Sequence, residues 1–248
     1  MVAAERTELS FAERFCGPPG SANGGFACGS IAELLGGEVE VILRRPPPLG
    51  RSLWLRADDR DGGATVLDDD DLIAEVYLAT VGAGVPGVAS LVQAQAAAER
   101  YPLYQGHPFP TCFTCGPQRA AGDGLRIFPG PVTGSELWAA PWTPDSSVAD
   151  GGGLVTPKVV WAALDCPSGF AVGAGDAVMV LGRMAARVLA RPRAGTPYCV
   201  VGWPAGPGEG RKRPAGSALL DGHGRVLAAA HGLGDDPGVG AGVMGAGS

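Results

Sequence analysis

The chain has 248 residues, enough for one large domain or two of about 120 residues each. Its hydrophobic fraction of 46% supports a real core, and a net charge of −6 argues against the broad basic field that non-specific nucleic-acid binding needs. No segment reaches the roughly eighteen uninterrupted apolar residues of a membrane span, and MVAAERTELSFAERF lacks a basic region followed by an apolar one. A cytoplasmic protein is therefore expected, with no membrane and no nucleic-acid partner, and its six cysteines are expected as free thiols rather than a disulfide scaffold.

The 41 glycines and 22 prolines lie mostly between apolar runs, where they punctuate turns. From Gly17 the run GPPGSANGG is turn material, with Ser21 or Asn23 as N-cap. Phe26 to Leu35 follows as a short helix, apolar on nearly every side and ended by Gly36-Gly37. Glu38 to Arg45 begins with the period of two that marks a strand, and Pro46-Pro47-Pro48 stops it. Ser52 to Ala57, Ala64 to Leu67 and Leu72 to Thr80 read as further strands, with the acidic run Asp68 to Asp71 as a solvated turn. Ser90 to Tyr101 is a good helix former and reads as a connecting helix.

An irregular run rich in Pro, Gly and Cys follows, and strand-like patterning returns at Leu125 to Phe128 and Glu136 to Trp142. Pro157 to Val172 forms a second apolar helix, with Pro157 suited to its first turn. Strands are expected within Val178 to Leu189, over Pro197 to Trp203, and in a hairpin pairing Ala218 to Leu220 with Arg225 to Gly232 across Asp221-Gly222-His223-Gly224. Helix then strands thus occurs twice, an internal repeat offset by roughly 130 residues. The expected organisation is an α+β protein with a first half at 1–85, a connecting helix and cysteine loop at 86–124, a second half at 125–234 and a disordered Gly-rich tail at 235–248.

Two segments carry a resemblance. They are Asn23-Gly24-Gly25-Phe26-Ala27-Cys28-Gly29 leading into Ile31 to Leu35, and Trp161-Ala162-Ala163-Leu164-Asp165-Cys166-Pro167-Ser168-Gly169-Phe170-Ala171. A Gly-Gly turn before a small-residue helix, and a helix containing Ala-Leu-Asp, resemble the hot-dog thioesterases of the phenylacetate-pathway type. The closing hairpin SALLDGHGRVLAAAHG is similar to theirs as well. The resemblance implies a double hot-dog, in which each of two central helices is wrapped by a curved antiparallel sheet. It also implies a substrate that is an acyl-CoA or acyl-carrier thioester, and homo-oligomers, since such sheets often associate. The halves are unequal: Gly36-Gly37 falls where the first half would match Asp165, and the second half has Thr156-Pro157 in place of the glycine pair.

Asp165 is the sharpest chemical candidate, because an acid in a helix of Trp, Ala, Val and Phe must be paired, protonated or at a cleft. There it would serve as base or nucleophile toward a thioester, with Glu33 as the alternative acid. Asn23 and Gly25 at the first helix start would polarise the carbonyl, and Gly24 would let substrate approach closely. A site shared between the halves follows from the resemblance. The alternative reading of the fold is a non-catalytic acyl-binding protein.

Arg211 and Lys212, beside Arg213, would hold the phosphates of coenzyme A, as would Arg44 with Arg45 or Arg191 with Arg193. No cofactor is required by this chemistry. His107-x4-Cys112-x2-Cys115-Gly116 does resemble half of a zinc knuckle, which Cys166, His223 or His231 would complete only through the fold. The plain reading of that run is a structural loop. The five tryptophans are expected in the core or lining a cleft.

Overall fold

The computed structural model describes residues 6–58, 62–82, 84–173 and 179–235. Of the expected tail, only Asp235 falls within them, at the end of a strand, and 236–248 lie outside the described residues.

Among the described residues, three α-helices accompany one antiparallel sheet. The helices are α1 (Gly24–Leu35), α2 (Leu91–Ala98) and α3 (Pro157–Gly173). The strands of the first half are β1 (Arg6–Leu9), β2 (Val39–Leu43), β3 (Leu53–Ala57), β4 (Ala64–Asp68) and β5 (Asp71–Leu78). Those of the second are β6 (Gly130–Pro131), β7 (Trp138–Trp142), β8 (Val180–Val188), β9 (Tyr198–Pro204), β10 (Lys212–Leu220) and β11 (Val226–Asp235).

The sheet runs β1-β3-β4-β5-β2-β8-β11-β10-β9-β7-β6. Read outward from its middle, both sides follow one rule. The first strand after each helix (β2, β8) sits at the centre, then the fourth, third and second, and then the strand that precedes the helix. The two sides join where β2 meets β8 through Glu40↔Ala185, Val41↔Met184 and Ile42↔Arg183.

The helices form because their starts are capped and their faces are apolar. The Asn23 side chain accepts the N–H of Phe26 at 2.9 Å, and Ser90 with Gln93 forms a capping box on α2. Small residues then bring α1 and α3 together. A Cβ at Gly25 would lie 2.6 Å from the Trp161 carbonyl oxygen, and one at Gly29 would lie 2.7 Å from Trp161 Cβ. The same economy seats α3 on the sheet, since a Cβ at Gly202 would lie 2.1 Å from the Pro167 carbonyl oxygen. The main core lies between these two helices and the sheet, while α2 covers the opposite face around Ala94, Ala97, Cys199, Val201 and Trp203. Strand β9 is buried on both faces, and for that reason YCVVGW reads as a continuous apolar run rather than an alternating one.

Three expectations are corrected. Arg6–Leu9 pairs with β3 as an additional strand, hidden in the sequence because its residues are mostly exposed and charged. Leu125 to Phe128 is not a strand: Arg126 takes φ +54°, and the amides of Leu125 and Ile127 bond instead to the carbonyls of Phe113 and Thr114. The strand expected at Ala218 to Leu220 begins earlier, at Lys212, and runs through Pro214. The acidic turn stands as expected between β4 and β5, with Asp68 paired to Arg51 at 2.8 Å and Asp71 to Arg45 at 2.7 Å.

Candidate functional site

The site is built where α1 starts. Capping by Asn23 uses its side-chain oxygen, so its amide nitrogen is free to point away from the helix. Asn23 Nδ2 donates to Asp165 Oδ2 at 3.0 Å. The backbone N–H of Gly25 donates to the same oxygen at 2.9 Å, an approach open only because Gly25 has no side chain to hold the helices apart. The carboxylate of α3 therefore sits on the positive end of α1. Asp165 Oδ1 has no hydrogen bond among the described residues, and Asp165 borders a cleft of about 90 Å³.

That cleft is walled by Leu103, Phe170, Met179 and Leu181, with Gly24 at its floor. Gly24, the first residue of α1, has a backbone N–H with no acceptor among the described residues. Asp165 is half-buried, its enclosed oxygen facing protein and the remainder facing the cleft. Burial pushes its carboxyl up to about 7; the Gly25 N–H opposes that rise, the nearby Cys112 adds to it, and the Asn23 amide opposes it.

The structure thus brings Asn23, Gly24, Gly25 and Asp165 together, across 142 and 140 positions of sequence for the two bonded pairs. Their division of labour differs from the one expected. The N–H of Gly25 is engaged by Asp165, so it positions the acid, and Gly24 is the residue with a donor left over. Glu33 stands apart, in a half-exposed ion pair with Lys158 at 3.3 Å. None of the tryptophans borders the cleft; Trp142, Trp161 and Trp203 are core residues.

The loop between α2 and β6 brings a second group to the same cleft. Cys112 and Cys115 are buried beside Cys166 of α3, and the three sulfurs lie within 4.8 Å of one another. Cys112 Sγ is 3.9 Å from Cys166 Sγ and 3.9 Å from Asn23 Nδ2. Hydrogen bonds from the Cys115 and Cys166 thiols, helped by the backbone N–H groups of Cys115 and Thr114, hold Cys112 well below the usual thiol range. The same bonds push Cys115 and Cys166 up. His107 Nε2 lies 3.4 Å from Cys115 Sγ. His223 and His231 do not take part: His223 is in the β10–β11 turn, and His231 lies against the Gly82 carbonyl at 3.2 Å.

Most of the basic pairs weighed for phosphate binding are engaged within the chain. Arg44 pairs with Glu75, Arg45 with Asp71, and Arg191 with Asp150 at 2.6 Å. Arg211 lies 3.4 Å from Asp235, and Lys212 is exposed with no ion pair among the described residues. Lys212 faces Asp235 across the β10–β11 ladder, one residue from Gly234, which borders the cleft.

No protein-family model matches the chain, and no curated protein does either. Solved structures do match it. A tesB protein of Mycobacterium avium subs paratuberculosis has a TM-score of 0.58 at 14% identity, over 96% of this chain and 95% of its own. A protein of Alicyclobacillus acidocaldarius described as having the hot dog fold gives 0.58 at 10% identity, over 95% and 94%. The chain has the hot-dog fold. A further neighbour, named as a thioesterase of Novosphingobium aromaticivorans, gives 0.57 at 15% identity, over 95% and 96%. At these identities the likeness is one of fold. Among the described residues, no helix of this hot-dog chain is long and apolar enough to cross a membrane.

Proposed function

We propose that the chain is a double hot-dog hydrolase of acyl thioesters, acting on an acyl-CoA or acyl-carrier substrate at one site between its halves. The observation that carries this reading is the Asp165 carboxylate, held by Asn23 and Gly25 from the other half with its second oxygen free at an apolar cleft. Two of the structural neighbours carry tesB or thioesterase names, which supports the same reaction class.

In this mechanism the acyl chain lies against Phe170, Met179 and Leu181, and a water in the cleft donates a hydrogen bond to Asp165 Oδ1. Asp165 takes the water's proton as its oxygen bonds to the thioester carbon. The Gly24 N–H, at the positive end of α1, steadies the negative charge that develops on the carbonyl oxygen. Collapse of the tetrahedral intermediate breaks the C–S bond, and the proton held by Asp165 passes to the departing sulfur. The products are a carboxylic acid and a free thiol. Lys212, which has no ion pair among the described residues and lies at the start of β10, would meet a coenzyme A phosphate, with Arg211 beside it.

The test is release of free thiol from a panel of acyl-CoAs. Turnover by the native chain, reduced ~10²-fold or more in a folded Asp165→Asn variant, is the expected result. Binding without thiol release would make the chain an acyl-binding module, and undiminished turnover in Asp165→Asn would remove Asp165 from the mechanism. Lys212→Ala is expected to raise KM for acyl-CoA with kcat unchanged, and to leave KM for acyl-pantetheine as it was.

A further inference from the structure

The hydrolase reading leaves three sulfurs at the cleft without a task, those of the buried Cys112 and Cys115 and of the half-buried Cys166. A lone thiol in a core is an inert packing group, but three sulfurs from two separate segments converging on one point are not explained by packing. We infer that Cys112, Cys115 and Cys166 bind one soft divalent cation of the zinc class through their three sulfurs, with the fourth position turned to the cleft.

The spacing fits a cation better than a disulfide. A tetrahedral zinc with Zn–S bonds of about 2.3 Å sets its sulfurs ~3.8 Å apart. Cys112 and Cys166 are 3.9 Å apart, and all three sulfurs fall within 4.8 Å. A disulfide would use two sulfurs at about 2.05 Å and leave the third without a partner.

The loop is shaped to present sulfur. Gly116 N donates to the Cys112 carbonyl at 2.9 Å, closing a turn so tight that a Cβ at Gly116 would lie 2.5 Å from Cys112 N.

His107 supports the site from behind rather than as a ligand. Its Nδ1 accepts the N–H of Phe109 at 2.9 Å, which places the ring proton on Nε2, and Nε2 faces Cys115 Sγ at 3.4 Å as a donor. The Asn23 amide faces Cys112 in the same way at 3.9 Å. Three thiolates and one divalent ion carry a net charge of −1, which these donors offset. With the protein supplying three ligands, the fourth is a water or a group entering from the cleft. The ion would also tie the loop to α3, within one residue of Asp165.

The experiment uses the full chain purified without chelator, and none of its readings involves substrate or turnover, so it fails or succeeds independently of the hydrolase reading. Elemental analysis is expected to give about one zinc per chain. Exchange with cobalt(II) is expected to give tetrahedral visible bands together with thiolate charge transfer in the near ultraviolet. Cys166→Ser should lose most of the metal, whereas Cys199→Ala, a buried cysteine outside the cluster, should keep it. If Cys166→Ser does not fold, the cobalt spectrum of the native chain decides. The proposal is overturned by an octahedral cobalt spectrum without thiolate bands, or by equal metal content in native and Cys166→Ser protein. A native mass lighter by two hydrogens, with Cys112 and Cys166 joined, would overturn it equally.

Discussion

Asp165 in α3 accepts the backbone N–H of Gly25 in α1 at 2.9 Å, a bond that spans 140 positions of sequence and ties the two helices at one oxygen atom. Because the donor is main chain, no substitution at residue 25 removes the N–H unless it brings in proline. What a substitution does change is the distance between the helices.

Gly25→Ala places its Cβ 2.6 Å from the Trp161 carbonyl oxygen and 2.7 Å from Asp165 Cβ. Relief of that overlap pushes α3 away from α1, at a cost of about 1–3 kcal/mol. Gly29→Ala, whose Cβ meets Trp161 and Lys158, strains the same interface one turn further from the carboxylate. We expect thermal denaturation to show similar losses for both variants, and thiol release to fall at least tenfold further in Gly25→Ala. Equal activity in the two would disconnect the helix spacing from catalysis.

Asn23 has two duties that can be separated. Its oxygen caps α1 through Phe26, and its nitrogen holds Asp165. Asn23→Ala loses both, with the cap alone worth about 1 kcal/mol. Serine can serve as a cap but lacks the amide that reaches Asp165. Calorimetry on Asn23→Ser should therefore recover most of the stability lost in Asn23→Ala, while a thiol-release assay should recover little of the rate.

Asp150 holds the turn before α3: it takes Arg191 at 2.6 Å on one oxygen and the amides of Gly152 and Leu154 at 2.8 and 3.2 Å on the other. The Arg191 guanidinium, followed by those two amides, holds its carboxyl below the ordinary 3.8. A carboxylate with a depressed pKa contributes stability above its unfolded value and loses it as pH falls through its folded one. The melting temperature of Asp150→Asn should thus lie below that of the native chain at neutral pH, and the gap should close as the pH drops below 3.8. A gap that stays constant in acid would mean that the ion pair contributes nothing.

Gly202 lies on β9 directly under α3, where a Cβ would approach the Pro167 carbonyl oxygen to 2.1 Å. Both partners are backbone, so neither can turn aside. We expect Gly202→Ala to cost about 3 kcal/mol or more, seen as a lower denaturant midpoint with little change in slope.

Much of this was legible in the chain itself. Asp165 stood out because an acid among Trp161, Ala162, Ala163 and Leu164 needs a reason, and the Asn23-Gly24-Gly25 helix start was visible as capping chemistry. The meeting of those two segments was implied by resemblance, since nothing local to either could encode a contact between them. The engagement of the Gly25 amide by Asp165 was not legible for a related reason: whether an amide is free depends on what the fold brings to it. Cys166 was one of four residues, with His107, His223 and His231, weighed to complete the Cys112–Cys115 pair, and only packing of the loop on α3 singled it out. Strand β1 and the irregular Leu125 to Phe128 were missed because exposure and one left-handed residue erase the alternation on which strand reading depends.

The inequality of the two helix starts has a consequence in stoichiometry. α1 offers glycine amides at its first turn, and its acid, Glu33, is engaged by the Lys158 side chain at 3.3 Å, whereas α3 offers Asp165 but opens with Pro157, which has no amide hydrogen to give. The mirrored position, where an acid of α1 meets the start of α3, therefore holds a half-exposed Glu33–Lys158 ion pair in place of a carboxylate seated on a helix amide. A titration with a non-hydrolysable acyl thioether should saturate at one equivalent per chain, where two intact copies of the site would take up two.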